Sequence, residues 1–461
     1  MSKVIEILRE AINGEEKEYT SGSINRAIVL LSIPMILEMV MESLFAVVDV
    51  YFVSKISVDA VATVGLTESV LTLIYSVAIG MSTAATAMVA RRVGEQKPEE
   101  ASVAAMQSIF LAIGLSVLIG VPGFIFADDI LRFMGGSEQL IAAGVGYTRI
   151  ALGSNIVVML LFLLNGVFRG AGDAAIAMRV LWIANGINIV LDPLLIFGIG
   201  PFPEMGVEGA AMATMIGRGT GVLLQIYYLI KGTGVIKLAK RHLVIVWDVI
   251  ARLLSVGWTG TLQFLIMSAS WIFLIRIISE FGSDAVAGYT VAIRVIMFTT
   301  LPSWGLSNAA ATLVGQNLGA GEPERAETSV WRASYYNMLF LLILSIGLMI
   351  GAQPIIELFT TAPKVVEAGV MGLRILCSGY VLWAYGSVVM QALNGAGDTR
   401  TPTIINLICF WALEIPLGYI LAVWLGWGLA GVCAAVVISE SVWAVMGIVV
   451  FRQGRWKKVQ I

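Results

Sequence analysis

Long apolar stretches recur along the whole chain and restrict its fold more than any other feature. A transmembrane helix needs about 20 mostly apolar residues and, with its connection, takes up roughly 35 to 40. The 461 residues therefore have room for about twelve such helices. We predict an all-α polytopic membrane protein. The predicted helices cover residues 27–53, 60–92, 101–127, 139–168, 174–199, 206–231, 248–281, 284–315, 326–352, 365–394, 401–425 and 428–452.

The composition excludes several classes of protein. Charged residues make up 13% of the chain and hydrophobic residues 58%, whereas about a quarter of a typical soluble domain is charged. A soluble enzyme or a disordered protein of this length would need more charge. The net charge of −2 gives no basic stripe for a phosphate backbone. We expect a lipid bilayer around the protein and no nucleic-acid partner.

Sequence motifs for catalysis or cofactor binding are missing. The three cysteines lie in apolar runs without a CxxC pair, and His242 is the single histidine, so zinc and disulfide frameworks are not expected. No Walker A motif is present, which argues against ATP hydrolysis. We therefore expect neither an enzyme nor a bound cofactor, and no metal beyond a Na⁺ ion at a coupling site.

The positions of lysine and arginine predict the orientation. With the N-terminus inside, the cytoplasmic segments hold most of these residues, including Lys17 and Arg26, and the opposite side little more than Lys55, Arg132 and Lys364. The positive-inside rule then places both termini in the cytoplasm, which requires an even number of spans. The first 26 residues are polar, which argues against a cleaved signal peptide. We expect a monomer in the plasma (inner) membrane.

The chain repeats itself at an offset of 225 residues. The matched segments are Asp59-Ala-Val-Ala62 with Asp284-Ala-Val-Ala287, Gly80-Met-Ser-Thr-Ala-Ala85 with Gly305-Leu-Ser-Asn-Ala-Ala310, and Gly170-Ala-Gly-Asp173 with Gly395-Ala-Gly-Asp398. Near the ends of the two halves the offset falls to about 222, where Gly206 and Gly209 pair with Gly428 and Gly431. Two six-helix halves that enter the membrane in the same direction should be related by a pseudo-two-fold axis along the membrane normal.

The repeat predicts two bundles with a cleft between them. We assign a cytoplasmic segment to residues 1–26, the N-terminal lobe to 27–231, a cytoplasmic linker to 232–247, the C-terminal lobe to 248–452 and a cytoplasmic tail to 453–461. Such an arrangement is typical of an alternating-access transporter. A duplicated scaffold without transport function is the structural alternative.

Several polar residues fall inside the predicted spans, where a charge costs roughly 2.5 to 3.5 kcal/mol and usually serves a function. They are Glu38, Glu42 and Asp49 in the first span, Glu68 in the second, Tyr147 in the fourth, Asn188 and Asp192 in the fifth, and Thr214 in the sixth. Residues four or seven apart share a helical face. Carboxylate, amide and hydroxyl oxygens suit a hard monovalent cation, and a buried carboxylate also competes for a proton.

Six motifs of this sequence resemble those of the multidrug and toxic compound extrusion (MATE) family. They are Ser32-Ile-Pro34, Val48-Asp49, Ala90-Arg-Arg-Val-Gly94, Arg169-Gly-Ala-Gly-Asp173, Asn188-Ile-Val-Leu-Asp192-Pro193 and the run from Gly206 to Thr214. The resemblance implies a V-shaped, twelve-helix antiporter. Such a protein exports amphipathic, mostly cationic organic compounds and is driven by inward flow of Na⁺ or H⁺.

The resemblance also assigns the coupling site to the N-terminal lobe. It places Asp49, Asn188, Asp192 and Thr214 at cation-site positions of archaeal and DinF-like members, with Tyr147 beside them. NorM-like members carry acidic ligands in the C-terminal lobe, but here Gln263 and Leu274 stand at the corresponding helix. The chain is therefore expected to be DinF-like rather than NorM-like.

Alternatives stay open for individual acids. Asp49 or Asp192 could instead cap or pair within helix packing, and Glu38 could be interfacial. Whether Glu42 and Glu68 line the cavity is open. In the second half, Glu414 precedes Pro416 and could line the cleft, whereas Glu440 fits a pairing role in helix packing.

Other recurrent residues suggest scaffold roles or movement. Arg149 and Arg374 are expected to snorkel or to bond helix-end carbonyls. Asp173 and Asp398 are expected to cap the helices that follow them. Pro34 removes a helix hydrogen bond and could serve as a hinge for a bent first span, with a static kink as the alternative.

Together these features predict a secondary active antiporter for organic cations. A lipid-linked oligosaccharide flippase of the same superfamily is the main alternative, but its cleft should be cationic to hold pyrophosphate, whereas this one is predicted to be acidic. A channel or a receptor is less consistent with a duplicated chain whose intramembrane acids lie mainly in the first half.

Overall fold

The structure is a computed structural model that describes residues 2–14, 19–232 and 234–461, with the side chains of residues 2–4 and Val58 left out. The predicted cytoplasmic residue Lys17 lies outside the described residues. The first half forms α1 (Ser2–Asn13), α2 (Ile24–Ser54), α3 (Val58–Gly94), α4 (Pro98–Ile125), α5 (Ala127–Phe133), α6 (Glu138–Gly153), α7 (Asn155–Gly170), α8 (Ala174–Phe197) and α9 (Val207–Lys231).

The second half repeats this order. It forms α10 (Trp247–Ile278), α11 (Ser283–Gly319), α12 (Pro323–Ile350), α13 (Ala352–Glu357), α14 (Pro363–Cys377), α15 (Tyr380–Gly395), α16 (Arg400–Asn406), α17 (Ile415–Tyr419) and α18 (Gly428–Arg452). Two π-helices, Leu407–Glu414 and Ile420–Trp424, flank α17. The described ranges contain helices and turns but no β-strand.

Each predicted span is occupied by one helix or by consecutive helical segments, of which the span at residues 401–425 has four. Ten described segments are long and apolar enough to cross a membrane, and α14 with α15, bent by 56° at their junction, makes an eleventh. The sixth predicted span corresponds to α9, whose hydropathy is lowered by the intramembrane Arg218. The predicted all-α polytopic fold is confirmed. The short helices α5 and α13 were not predicted, and the residue limits assigned to the two lobes stay a prediction.

Local chemistry explains where several helices begin and end. The Ser57 and Ser137 side chains accept hydrogen bonds from the backbone N–H groups of Ala60 and Leu140, three residues on, which caps α3 and α6. Pro98 and Pro323 stand at the first positions of α4 and α12, where a missing N–H costs nothing. These prolines occupy matching positions of the repeat, so both halves start this helix in the same way.

The two lobes pack through glycines at matching positions of the repeat. Gly80 of α3 lies against α10, where a Cβ atom would be 2.3 Å from the backbone nitrogen of Thr261. Gly305 of α11 lies against α2, where a Cβ atom would be 2.7 Å from the backbone nitrogen of Ile36. Small residues let membrane helices approach closely. The pseudo-symmetric contacts α3–α10 and α2–α11 therefore hold the lobes together.

Both chain termini lie at one end of the molecule, which we call the terminal face and define by Gly94, Gly170, Gly319 and Gly395, the last residues of α3, α7, α11 and α15. The two lobes meet there. The Gln316 amide donates to the carbonyl oxygen of Gly170 over 3.0 Å, and Arg91 donates to that of Ala396 over 3.2 Å. Among the described residues, all hydrogen bonds between the lobes lie in the half of the molecule next to the terminal face. The cleft between the lobes is therefore closed at the terminal face.

Candidate functional site

Asn188 and Asp192 lie one turn apart on α8 and face α9. Both are buried, with 2% and 0% of their surfaces exposed. The Asn188 amide nitrogen donates to the Thr214 hydroxyl of α9 over 3.1 Å. The helices approach closely because α9 carries Gly217, where a Cβ atom would be 2.6 Å from the carbonyl oxygen of Ala184. The sequence prediction that Asn188 and Asp192 share a face is confirmed.

The carboxylate of Asp192 lacks a partner inside the lobe. Both of its oxygens are buried without a hydrogen bond, and so is the amide oxygen of Asn188. Asp49 of α2 interacts electrostatically with Asp192. Buried acceptors in proteins are almost always satisfied. Three unsatisfied oxygens and a second carboxylate therefore form a local environment that a cation or a proton would stabilise.

Tyr147 completes this group from α6. It is 7% exposed and packs in a cluster of apolar side chains with Val53 and Ile196. Its hydroxyl interacts electrostatically with both Asp49 and Asp192. The structure thus brings Asp49, Tyr147, Asn188, Asp192 and Thr214 together in the N-terminal lobe. Their role in coupling stays a prediction.

Glu42 is held by a cation that the sequence analysis overlooked. The Arg218 guanidinium of α9 donates to the Glu42 carboxylate over 2.8 Å, and the Asn185 amide donates to it over 3.0 Å. Arg218 is 3% exposed and lies 5.2 Å from the ring centroid of Phe45. The signal was available, because Arg218 is the one charged residue in the interior of the sixth predicted span.

Glu38 is buried inside the protein. Only 2% of it is exposed, and its depth in the membrane stays a prediction. Its carboxylate accepts a hydrogen bond from Asn165 over 3.2 Å and lies 3.7 Å from the Arg169 guanidinium. Both partners belong to α7. The contact depends on how α7 is rotated against α2, which the spacing of Glu38 and Glu42 along the chain does not reveal.

The remaining acids differ in their surroundings. Glu68 lies on an exposed face of α3. Glu414 is 1% exposed and lies inside the C-terminal lobe at the end of a π-helix, and its place in the lining of the cleft stays a prediction. It interacts electrostatically with Glu440 of α18. An offset of 222 residues, that of the paired glycines, matches Glu414 with Asp192.

The recurrent charges at helix ends have different roles in the two halves. Arg149 forms an ion pair with Asp128 over 2.6 Å, whereas Arg374 donates to the carbonyl oxygen of Met349, as expected for a residue that bonds helix-end carbonyls. Asp398 accepts from the backbone N–H of Thr401, which confirms the predicted cap.

The predicted cap at Asp173 is wrong. Its side chain forms no capping hydrogen bond to α8 and accepts instead from the backbone N–H of Val235, over 3.0 Å. A contact with a residue 62 positions away ties the connection after α9 to the first lobe. The local sequence, which resembles that around Asp398, gives no sign of this distant partner.

Pro34 lies buried within a continuous α2. It immediately precedes Met35 and Ile36, which contact Gly305 of the other lobe. The proline therefore lies within the contact between the lobes. Its role as a hinge stays a prediction.

Comparisons with known proteins agree with this architecture. The family model described as MatE matches residues 34–194 and 261–420, one segment in each half. The chain is 27% identical to the "Probable multidrug resistance protein NorM" of Thermotoga maritima over 94% of both chains. It is 26% identical to the "FAD transporter" of Shewanella oneidensis over 86% of this chain and 88% of that one.

Similarity to solved structures extends over the whole fold. The structure described as "Outward-facing conformation of a multidrug resistance MATE family transporter of the MOP superfamily" is 28% identical and covers 96% of this chain and 99% of that chain, with a TM-score of 0.90. Its two-lobed fold and the family match in both halves lead to one conclusion. The chain belongs to the MatE family, the multidrug and toxic compound extrusion family whose motifs it carries.

Proposed function

We propose that the protein is a secondary active antiporter that exports amphipathic, mainly cationic organic compounds in exchange for Na⁺ or H⁺. The observation that carries the proposal is the buried Asp192 carboxylate, whose two oxygens lack a hydrogen-bond partner beside Asp49. A structural carboxylate would be paired, as Glu42 is with Arg218. The multidrug-resistance relatives are consistent with drug export.

The coupling follows from the electrostatics of this site. Binding of a cation or a proton at Asp192 and Asp49 removes uncompensated negative charge from a region of low dielectric. Asn188, Thr214 and Tyr147 supply neutral oxygens for a Na⁺ ion or hydrogen-bond partners for a protonated acid. The ion therefore stabilises one arrangement of α2 and α8 over another, and its differential affinity for the two states drives the exchange.

Alternating access requires that the terminal face open after ion binding. We assign this face to the cytoplasm, because the predicted inside segments hold most of the Lys and Arg residues. The cleft is closed there, so the ion enters from the outside and the substrate leaves to the outside. Bending of α2 at Pro34 would connect the ion site to the inter-lobe contact at Gly305.

Coupling in the N-terminal lobe, as in DinF-like members, is supported by the hydrogen bonds that Gln263 of the C-terminal lobe makes. At the helix where NorM-like members carry an acid, this amide donates to Asn394 and to the carbonyl oxygen of Thr399, each over 3.0 Å. A side chain engaged in two structural hydrogen bonds is a poor candidate for a cation ligand.

Transport from right-side-out membrane vesicles loaded with dye tests the proposal. Efflux of a fluorescent organic cation is followed under an imposed Na⁺ gradient and, separately, an imposed H⁺ gradient. We expect one gradient to drive transport in the wild type and in Asp129→Asn, which makes the same chemical change at an exposed acid. Asp49→Asn and Asp192→Asn should abolish the gradient dependence. Equal gradient-driven efflux in all variants would contradict coupling in this lobe, and transport of a lipid-linked oligosaccharide instead would favour the flippase.

A further inference from the structure

The repeat places opposite charges at the same depth in the two lobes. Glu68 is the eleventh residue of α3 and Arg294 the twelfth of α11, and each of these matched helices has 37 residues. At 1.5 Å per residue, both side chains start about 15 Å from the helix ends at Val58 and Ser283, which lie opposite the terminal face, and both fall inside predicted spans. A duplicated helix has thus acquired an acid in one copy and a base in the other.

The two charges lie on exposed stripes of α3 and α11. On α3 the stripe contains Gly65, Glu68 and Thr72, and on α11 it contains Thr290, Arg294 and Met297. Residues three or four apart lie on one side of a helix. The two helices contact each other at the terminal face, where Gly94 of α3 lies against Gln316 of α11, and the Glu68 carboxylate interacts electrostatically with the Arg294 guanidinium. Both stripes therefore line the cleft between the lobes.

Neither charge is neutralised at close range. Among the described residues, the side chains of Glu68 and Arg294 form neither an ion pair within 4.0 Å nor a hydrogen bond; Glu68 accepts from the Thr72 hydroxyl through its backbone carbonyl alone. The other intramembrane arginines behave differently, since Arg218 is paired with Glu42 and Arg169 lies beside Glu38. A charge at this depth is costly unless it faces water or a partner. Glu68 and Arg294 are consequently available to a ligand in the cleft.

We propose that Glu68 and Arg294 form a bipolar substrate subsite that selects amphoteric compounds, with Glu68 binding the cationic group and Arg294 a carboxylate or phosphate of the same molecule. The proposal rests on the transport function above and narrows its substrate class. A guanidinium can donate two parallel hydrogen bonds to a planar or tetrahedral anion, which a point charge such as lysine cannot do. A purely cationic drug uses only the Glu68 half of the subsite.

Two dyes that differ by one ester test this assignment. Tetramethylrhodamine methyl ester is a cation, whereas its free acid carries the same cationic ring system and a carboxylate. Binding of each dye to the purified protein is measured by fluorescence anisotropy without any ion gradient, for the wild type, Arg294→Gln, Arg294→Lys and Glu68→Gln. Arg276→Gln, at an exposed arginine near the end of α10, is the matched control.

We expect Arg294→Gln to weaken binding of the acid about tenfold and to change binding of the ester less than about twofold, since a hydrogen bond to a charged group is worth about this much. Arg294→Lys should recover part of the affinity for the acid. Glu68→Gln should weaken the binding of both dyes. An unchanged preference of Arg294→Gln for the acid, or an equal loss for both dyes, would overturn the subsite.

A direct ion pair that closes the distal end of the cleft is the rival role for the two residues. Loss of such a pair in Arg294→Gln would change binding of the acid and of the ester alike, because neither dye would contact the two residues. The subsite predicts instead that Arg294→Gln weakens binding of the acid and spares the ester, so equal effects of this variant on the two dyes would overturn it. Because binding is read without a gradient, a protein that binds both dyes as expected but moves neither would contradict the antiport function and leave the subsite intact.

Discussion

The Arg218 guanidinium and the Glu42 carboxylate form an ion pair of 2.8 Å between α9 and α2, with Arg218 almost completely buried. Breaking such a pair leaves an uncompensated charge and costs about 3 kcal/mol, at the low end for buried pairs because Glu42 is partly exposed. Arg218→Leu should therefore lower the melting temperature of the protein in detergent. The double variant Arg218→Leu/Glu42→Leu should recover most of this stability, and an equally large loss in the double variant would contradict the electrostatic explanation.

Gly94 controls closure of the terminal face. A Cβ atom there would be 2.0 Å from the carbonyl oxygen of Gln316 in the other lobe, so neither backbone can accommodate it without moving. Gly94→Ala should hold the lobes apart at this face and reduce transport at least tenfold. Labelling of a cysteine introduced at Ala90 should increase, since that residue is fully buried in the closed state.

Gly114→Ala is the control for this prediction. It adds the same methyl group to α4, at a position with no atom within 4 Å. Its transport and labelling should match those of the wild type. If Gly94→Ala also behaves like the wild type, close contact between Gly94 and Gln316 is not needed for the transport cycle.

Pro34 is predicted to permit bending of α2 during transport. Pro34→Ala restores a backbone hydrogen bond donor and should straighten and stiffen the helix. We expect transport to fall severalfold while the melting temperature stays equal or rises. Efflux at the wild-type rate by Pro34→Ala would rule out the hinge and leave a static kink as the explanation.

The chain after α18 connects the two lobes at the closed terminal face. Trp456 is 1% exposed and stacks on Phe451, with ring centroids 4.6 Å apart. Beyond it, Val459 and Ile461 accept hydrogen bonds from Arg91 and Arg92 of the first lobe. Trp456→Ala removes a buried aromatic side chain, which costs about 3 kcal/mol at such sites. Protease cleavage of the segment after Arg452 should become faster, whereas Trp427→Ala, at an exposed tryptophan, should leave it unchanged.

The features that could be predicted from the sequence are those that depend on a regular spacing of residues along the chain. Helix content, the duplication and the shared face of Asn188 and Asp192 follow from spacing along the chain. The ion pair of Glu42 with Arg218 depends instead on the rotation of α9 against α2, which is decided by packing at residues such as Gly217. The contact from Asp173 to Val235 likewise has no local signature.

Helix irregularities also escaped prediction. The bend of 56° between α14 and α15 and the π-helices around α17 leave hydropathy unchanged, because they alter backbone geometry and not composition. A π-turn inserts a residue into the helical register. One more residue separates Glu414 from Pro416 than separates Asp192 from Pro193, which fits such an insertion.

Ion release upon substrate binding tests the central claim most directly. Binding of substrate and ion at coupled sites is reciprocal, so a substrate that disfavours the ion-bound state must displace the ion. An organic cation is added to purified protein in weakly buffered solution, and the released H⁺ or Na⁺ is measured. We predict release of about one ion per bound substrate from the wild type and from Asp129→Asn, and none from Asp192→Asn, although that variant still binds the substrate. Undiminished release from Asp192→Asn would contradict coupling through this carboxylate.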